Sequence, residues 1–276
     1  MLEKIVAKTK NVNTGAVINL IEFAMGGSQY IVRSVDGLGP VKSAVSAMDI
    51  PAEAGGIVLG SQAGMRNIVI TFEYRPNFSA GSTVSTLRRG LSKVFMPSNE
   101  VEIDFYTDLG IRRITGVVES NEPVIFAKDP QVQVSIICAD PYFRNIDAQT
   151  VIDIPNTQTS FTVNFPGDVP VGYAIEATVA IADDHFTLQR LPYSIYSGMS
   201  ILNLPLLVND KLYMSSIKGD RGAVYVRSAQ TINAMGYFNG SLVNEKLYPG
   251  LNYFTISNIA RFSNIKIRYQ ILYGEV

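Results

Sequence analysis

The sequence predicts a mainly β protein, with an N-terminal β-sandwich or barrel-like domain that carries one α-helix and a C-terminal β-sandwich of the jelly-roll type. Three observations predict this fold class. The 276 residues include 14 Tyr, 13 Phe, 22 Gly and 13 Pro, which combines strand formers with turn formers. Apolar and polar residues alternate along many short stretches. The alternation stops near residue 143 and restarts by residue 152, and the chain is longer than one usual domain.

Two stretches of the first half, residues 67–75 and 101–106, alternate with the period of a half-buried strand. The residues predicted to face the core are Ile68, Ile70, Phe72, Tyr74, Val101, Ile103 and Phe105. The same alternation places Glu102 and Asp104 on the outward face. These stretches predict two half-buried strands, each with one face toward a core and the other face outward.

The one convincing helical pattern in the chain is "STVSTLRRGLSKVFMP", residues 82–97. Its apolar residues at helical spacing are Val84, Leu87, Leu91, Val94 and Phe95. Ser82 is the expected N-cap, and Pro97 prevents much continuation. Arg88 and Arg89 point away from the apolar stripe, and we interpret them as a solvated helix face because the net charge of the chain is −1.

The only cysteine, Cys138, ends the alternating stretch "QVQVSIIC" on its apolar face. A cysteine nucleophile needs a nearby base, and the only histidine, His185, lies in the other half of the chain. We therefore predict that Cys138 is a buried structural residue and that no residue of the chain is catalytic. Asp140-Pro141 follows at once and ends the strand, because proline has no N–H to donate.

After residue 143 the strand pattern restarts, with turn signals between short strands. The predicted core residues of this half are Phe161, Val163, Phe165, Tyr173, Ile175, Ala177, Val179, Ile181, Ile265, Ile267, Tyr269, Ile271 and Tyr273. Short strands without a helical pattern are typical of an all-β sandwich or jelly roll. We therefore predict two domains, residues 1–143 and 144–276.

Residues 36–67 form a segment rich in Gly, Ala and Ser that is longer than connecting loops usually are. Its glycines match neither GxGxxG nor a Walker loop, so we predict no nucleotide site. Two interpretations stay open: a surface excursion with a few short strands, or a segment that orders against a neighbouring subunit. The candidate interface residues are Gly37, Leu38, Gly39, Pro40, Gly55, Gly56, Gly60 and Gly64.

Composition and local patterns argue against several other functions. With 23 basic and 24 acidic residues, net charge favours attraction neither to nucleic acid nor to an anionic membrane. The N-terminal residues lack a signal-peptide or membrane-spanning pattern, so we expect folding in a cytoplasm and no membrane insertion. Asp183-Asp184-His185 resembles metal-ligand spacing, but consecutive strand residues alternate faces, so we predict a solvated turn. No metal or cofactor is expected.

Seven segments in a fixed order carry a resemblance to a known family. The first half contains "SVDGLGPVKSAVSAMDIPAEAGGIVLGSQAGMRNIVITFEYRP", "LRRGLSKVFMPSNEVEIDFYTDLGIRRITGVVESNEPVIF" and "QVQVSIICADPYF". The second half contains "FPGDVPVGY", "NDKLYMSSIKGDRGAVY", "YPGLNYFTI" and "RYQILYGEV". Together they resemble the distal tail proteins of siphophages over nearly the whole chain.

The resemblance implies a structural virion protein of a long non-contractile phage tail, assembled in the host cytoplasm. Residues 1–143 would form a six-fold ring that joins the tail tube to the tail tip or baseplate, and residues 144–276 would form a galectin-like β-sandwich. The implied partners are further copies of the chain, a tail tube protein, a tail-tip hub or tail-associated lysin protein, and a receptor-binding protein. DNA would only pass through the ring lumen, which suits a chain with no basic excess.

Two other functions are compatible with parts of the sequence. The C-terminal sandwich could bind a host glycan, as many sandwich domains do; Trp is absent, but tyrosines can also stack on sugars. A glycosidase would need two carboxylates, and some pair on a β protein falls at a suitable separation by chance. We therefore expect no enzyme and keep the carbohydrate-binding module as the alternative.

Overall fold

The computed structural model describes residues 2–10, 14–24, 29–50, 54–124, 129–146, 149–191 and 198–276. The chain forms two compact units, Met1–Ile146 with Tyr273–Val276, and Asp147–Leu272. The last four residues, which the sequence assigned to the second domain, thus belong to the first unit. Independent folding of residues 1–143 and 144–276 stays a prediction. Among the described residues, no helix is long and apolar enough to cross a membrane.

The first unit is built on one antiparallel sheet and one α-helix. Its elements are β1 (Leu2–Lys10), β2 (Val17–Ala24), β3 (Tyr30–Asp36), β4 (Ser43–Asp49), β5 (Gly56–Ala63), β6 (Arg66–Tyr74), α1 (Val84–Val94), β7 (Glu100–Thr107), β8 (Gly110–Val124), β9 (Gln131–Cys138) and β10 (Phe143–Asn145). The main path of the sheet is β2-β1-β7-β8-β9-β6-β3. β4 and β5 form a separate two-stranded sheet.

The core of the first unit lies on the face of the sheet that the alternation predicts. All seven inward residues predicted for β6 and β7 are buried. Phe23 on edge strand β2 stacks on Phe72 with ring centroids 4.3 Å apart, and it meets Tyr30 on edge strand β3 at 5.6 Å. The two ends of the sheet therefore approach each other across the core, which makes the unit barrel-like.

Helix α1 buries Leu87, Leu91 and Val94 in the same core, as the helical spacing predicts. Its N-cap is Thr83 rather than the predicted Ser82. The Thr86 N–H donates to Thr83 Oγ1 at 3.2 Å, and the Thr83 N–H donates to Thr86 Oγ1 at 2.9 Å. This reciprocal capping pair satisfies two backbone donors, which Ser82 one residue earlier could not do.

The second unit is a sandwich of a six-stranded and a five-stranded sheet, with strand orders β11-β21-β13-β16-β17-β18 and β12-β20-β14-β15-β19. Its strands are β11 (Thr150–Ile154), β12 (Ser160–Phe165), β13 (Tyr173–Val179), β14 (Phe186–Leu191), β15 (Met199–Ile201), β16 (Lys211–Ser215), β17 (Gly222–Arg227), β18 (Gln230–Asn233), β19 (Phe238–Gly240), β20 (Gly250–Ser257) and β21 (Phe262–Tyr269); β22 (Leu272–Tyr273) spans the boundary between the units. Both sheets contribute to one core, so the sandwich prediction is confirmed. Two residues predicted for this core are wrong. Ile181 is 54% exposed, because β13 ends at Val179. Tyr273 packs against the core of the first unit instead.

Candidate subunit interface

The segment predicted as a candidate interface folds into an exposed hairpin, which we call the β4–β5 arm. Every residue of β4 and every residue of β5 except Ala63 is exposed. Met48 lies opposite Ile57, and the next pair along the hairpin is Ala47 opposite Val58. Because successive strand residues point to opposite faces, the arm carries apolar side chains on both of its faces. The arm is therefore a surface excursion with strands, and it leaves apolar side chains exposed to solvent.

The candidate glycines divide into two groups, and the first is required by the chain's own backbone. Gly37 has φ +88°, and a Cβ there would overlap the Asn67 carbonyl oxygen on β6. A Cβ on Gly56 would lie 2.8 Å from the Met48 carbonyl oxygen across the arm. Gly55, with φ +108°, belongs with these two. Larger residues at these positions would disturb the fold before they affected any partner.

The other candidate residues have space around them within one chain. A Cβ on Gly39 or Gly60 would meet no atom within 4 Å, and one on Gly64 would only touch the Lys42 carbonyl oxygen at 3.6 Å. Pro40 is exposed, and Leu38 packs partly buried against the core. Substitutions at Gly39 and Gly60 can therefore separate assembly from folding.

The base of the arm is held by Arg66, a buried arginine at the start of β6 that is 3% exposed. Its guanidinium donates to four backbone carbonyl oxygens, those of Gly37, Gly39, Pro141 and Gly274. The last three lie at 2.6, 2.6 and 2.7 Å. The guanidinium also lies 4.4 Å from the centroid of the Phe143 ring, and its burial lowers the pKa of Arg66. One side chain thus joins the arm, the end of β9 and the returning C-terminus.

Sequence reasoning missed Arg66, although a signal was present. Arg66 stands two residues before Ile68, so the alternation places both side chains on the face of β6 that points to the core. A charged residue at an inward position is buried only when its donors find acceptors. The carbonyl groups that accept here lie as far as 208 residues away in sequence, so the partners could not be named.

Glu102 and Asp104 are buried, 8% and 2% exposed, although the alternation places them on the outward face of a half-buried strand. Asp104 accepts from Arg113 at 2.6 and 2.8 Å and from Lys8 at 3.1 Å. Glu102 lies 2.9 Å from Lys8, 2.9 Å from Lys10 and 3.2 Å from Arg113. The two carboxylates do lie on the outer face of β7, but long basic side chains from β1 and β8 cover them.

The charge state of this network follows from its hydrogen bonds. Burial alone would raise the pKa of Asp104, but the bonds from Arg113 and Lys8 outweigh it and lower the pKa. The pKa of Glu102 is lowered in the same way, with burial opposed by hydrogen bonds from Lys8 and Lys10. The pKa of Lys8 is raised, because its two carboxylate partners outweigh its own burial. All three groups are therefore held in their charged forms.

Cys138 lies on the core face of β9 and is fully buried, as the alternation predicts. Burial raises the pKa of its thiol to about 12, against a smaller lowering by Arg66. A Cβ on Gly116 of the next strand would lie 2.7 Å from the Cys138 sulfur, so the thiol fills the space that this glycine leaves. The thiolate that a nucleophile needs is strongly disfavoured here.

Asp183, Asp184 and His185 bring their polar atoms within 4.8 Å of one another. The argument that consecutive residues alternate faces is therefore wrong here, since these residues lie in a turn before β14. His185 Nδ1 lies 2.7 Å from Asp184 and 3.2 Å from Asp183. Arg261 and Asn258 also reach Asp183, each at 3.3 Å. The cluster thus has partners within the chain.

The outer face of the six-stranded sheet in the second unit holds a groove of about 510 Å³. The residues that line it include Glu176, Lys211, Tyr213, Val224, Val226 and Lys266. The lining thus combines the hydrogen-bonding side chains of Glu176, Lys211 and Lys266 with the ring of Tyr213 and two valines. Such a mixture suits a small polar ligand with one apolar face.

Comparison with known proteins gives a match in structure. No protein-family model matches the chain, and no curated protein matches it. Among solved structures, the chain is similar to the Dit protein (gp 19.1) of phage SPP1, described as a paradigm of the hub adsorption apparatus in phages that infect Gram-positive bacteria. The match covers 88% of this chain and 93% of that one, with 14% identity and a TM-score of 0.67. The chain has the fold of a Dit protein.

Two structures of the phage P2 baseplate in its activated conformation, one with Ca and one with Sr, also match over 99% of both chains. Their identity is 7% and their TM-scores are 0.47 and 0.48. Because both scores are below 0.5, the SPP1 Dit comparison alone bears on the fold. At the level of fold, it confirms the resemblance to distal tail proteins.

Proposed function

We propose that this chain is a structural virion protein that forms the hub at the end of a long non-contractile phage tail. Its first unit assembles into a six-fold ring that joins the tail tube to the tail tip or baseplate and to the host-adsorption proteins. The observation that carries this proposal is the Dit fold, which matches over most of both chains. Assembly takes place in the host cytoplasm, and the mature location is the tail tip.

The first unit has the kind of surface that a ring requires. A closed ring is built from a heterologous contact that every copy repeats, so one copy must offer two different surfaces. The β4–β5 arm and the open glycines Gly39 and Gly60 supply an exposed apolar surface for one side of that contact. Further partners would be a tail tube protein, a tail-tip hub or tail-associated lysin protein, and a receptor-binding protein.

A structural role also accounts for the reactive groups described above. Cys138 is buried with a raised pKa, and the carboxylates of Glu102 and Asp104 are bound by basic side chains. We therefore propose no enzymatic activity. The net charge of −1 suits a lumen through which DNA passes without tight binding.

Negative-stain electron microscopy of the purified full-length chain tests the proposal. We expect six-fold rings, and discrete monomers at every concentration would overturn it. Gly60→Val should lower the ring fraction at an unchanged circular dichroism spectrum, because a side chain there has space only while no neighbour is present. Gly222→Val is the matched control, since Gly222 is equally open but lies on β17 of the second unit.

The groove on the second unit favours one further candidate function, binding of a host-surface glycan. Stacking on the Tyr213 ring, with hydrogen bonds donated by Lys211 and Lys266 and accepted by Glu176, would suit a saccharide. An array of bacterial surface glycans probed with the full-length chain tests it. Binding should be lost in Tyr213→Ala and kept in Tyr253→Ala, whose ring is exposed on the opposite sheet. Failure of the chain to bind any glycan on the array would overturn this candidate and leave the ring untouched.

A further inference from the structure

The first unit exposes a second apolar surface besides the β4–β5 arm. On strand β2, Val17, Ile18 and Leu20 are 49%, 60% and 57% exposed. On the arm, Ile57, Val58 and Leu59 are 49%, 64% and 65% exposed. A group of exposed apolar residues on a folded protein marks an interaction site more often than a single exposed residue does.

Both surfaces also carry open strand edges. β2 ends the main path of the sheet and pairs with β1 alone among the described strands, while β4 and β5 pair with each other. Exposed edges are usually protected by charged residues, especially Lys, by Pro or by β-bulges. β2 and the arm each have one register shift, at Ile18 and at Leu59. The sequence of β5 contains no charged residue or proline, and β2 has one charged residue, Glu22. An isolated two-stranded hairpin is at best marginally stable in water, so the arm needs a partner.

We propose that the β4–β5 arm of one copy docks on strand β2 of the next copy. The two surfaces differ and lie on one unit, so each copy would donate its arm to one neighbour and accept an arm from the other. Such a heterologous contact propagates in one direction, and it closes into a ring when the rotation between successive copies closes. Edge pairing would supply backbone hydrogen bonds, and Ile18 and Leu20 would cover the apolar side chains of the arm. This inference rests on the proposed ring and names the acceptor surface within it.

The base of the arm is suited to this role. Arg66 binds the carbonyl oxygens of Gly37 and Gly39, in the segment that leads from β3 to the arm, and Gly37 packs closely against β6. The arm therefore leaves the first unit from a fixed point, although its own strands are exposed. A fixed base reduces the ordering that docking has to supply.

Cysteine cross-linking of the full-length chain tests the contact. Ile18→Cys and Leu59→Cys are combined in one chain, while Cys138 stays in place because it is buried and has a raised pKa. Mild oxidation should give a reducible ladder of covalent multimers that ends at the ring size. Leu59→Cys combined with Leu109→Cys is the control, since Leu109 is 76% exposed on the β7–β8 turn of the same unit. It should give no ladder.

Each outcome bears on the proposal. Rings in the electron microscope without an 18–59 ladder would overturn the docking surface and leave the proposed function standing. Efficient dimers from Leu59→Cys alone would indicate arm-to-arm pairing and would also overturn it. Absence of both rings and ladder would overturn both proposals.

Charge substitution provides a second measurement that needs no disulfide. Ile18→Lys should lower the ring fraction about tenfold or more, because docking would bury an unpaired charge. Adding Leu59→Glu should restore most of it. An equal loss in the single and double variants would overturn the pairing of these two positions.

Discussion

Replacement of Arg66 by alanine should weaken the first unit more than any substitution of an exposed basic residue. Arg66 is buried, and it connects the base of the arm, the end of β9 and the C-terminal residues through four carbonyl oxygens. It has no carboxylate partner among the described residues, so its charge is balanced by carbonyl dipoles and by the Phe143 ring. Its removal takes the donor away from acceptors in three separate parts of the chain.

The magnitude follows from where those acceptors lie. Gly37 and Gly39 are exposed, so water can replace the guanidinium there, whereas Pro141 is buried and Gly274 is half-buried. Each buried acceptor that loses its donor costs about 1–3 kcal/mol, and the lost contact with Phe143 adds about 1 kcal/mol. Relief from burying a charge offsets part of this sum. We expect a net loss of about 3 kcal/mol for Arg66→Ala and a smaller loss for Arg66→Lys, whose ammonium cannot span all the acceptors.

The thiol of Cys138 reports this loss directly. It is the only cysteine, it is fully buried in the first unit, and it lies opposite Arg66 in the pairing of β6 with β9. Reaction with a thiol reagent under native conditions therefore measures opening of the first unit, whatever the second unit does. About 3 kcal/mol corresponds to roughly a hundredfold faster labelling. Removal of Arg66 also removes a charge that lowers the pKa of Cys138, which would slow labelling and cannot cause the acceleration.

Arg89→Ala is the control, since Arg89 is exposed on α1 and should change stability by less than about 0.5 kcal/mol. If Arg66→Ala labelled at the rate of this control, the guanidinium would not hold the first unit together and the reasoning would be refuted. The dependence of the labelling rate on urea distinguishes opening of the unit from local exposure of the thiol, because only the former exposes a large surface.

Three further predictions concern both units. Cys138→Ser should lower stability by about 1–2 kcal/mol in denaturant unfolding, because it buries a hydroxyl, and it should remove no hydrolytic activity; a lost activity with unchanged folding would contradict the structural role. Asp104 and Glu102 have lowered pKa values, so their contribution to folding stability is present above about pH 4 and is lost as pH falls through their folded pKa values. Lys8 has a raised pKa, so its contribution to folding stability is lost as pH rises above about 10.4. Urea unfolding between pH 6 and pH 3, where Asp104→Asn should flatten the acid response, measures the first effect. Cleavage between residues 144 and 150 should leave two folded pieces. The first piece then lacks Tyr273–Val276, so its Cys138 should react faster with a thiol reagent. One cooperative unfolding transition for both pieces, or insolubility of each piece alone, would argue against two domains.

The sequence predicted the parts of the fold that depend on short-range periodicity. Ile68, Ile70 and Phe72 are buried because β6 is a regular strand with one face on a core, and Leu87 and Leu91 are buried because α1 is a regular helix. The same reasoning fails where an element ends. Ile181 continues the alternation of β13 in sequence, but the strand stops at Val179.

Glu102 and Asp104 show a different limit of the method. Alternation predicts which face of a strand a residue occupies, and that face was predicted correctly. It does not predict what covers the face, because Lys8 and Arg113 come from other strands whose order in the sheet the pattern does not contain. Their long side chains turn an outward position into a buried one.

The candidate interface depended on a choice that the sequence left open, between a passive loop and a docking segment. A passive loop is typically polar and has no need of a fixed base. The β4–β5 arm instead carries Met48 and Ile57 on one face and Val58 on the other, and it starts beside the buried guanidinium of Arg66. Burying a charge without a carboxylate is costly, so it is hard to account for at the root of a segment with no function. These two features are what the proposed contact requires, because an arm that is fixed at its base and apolar along its strands needs little ordering when it docks on the next copy.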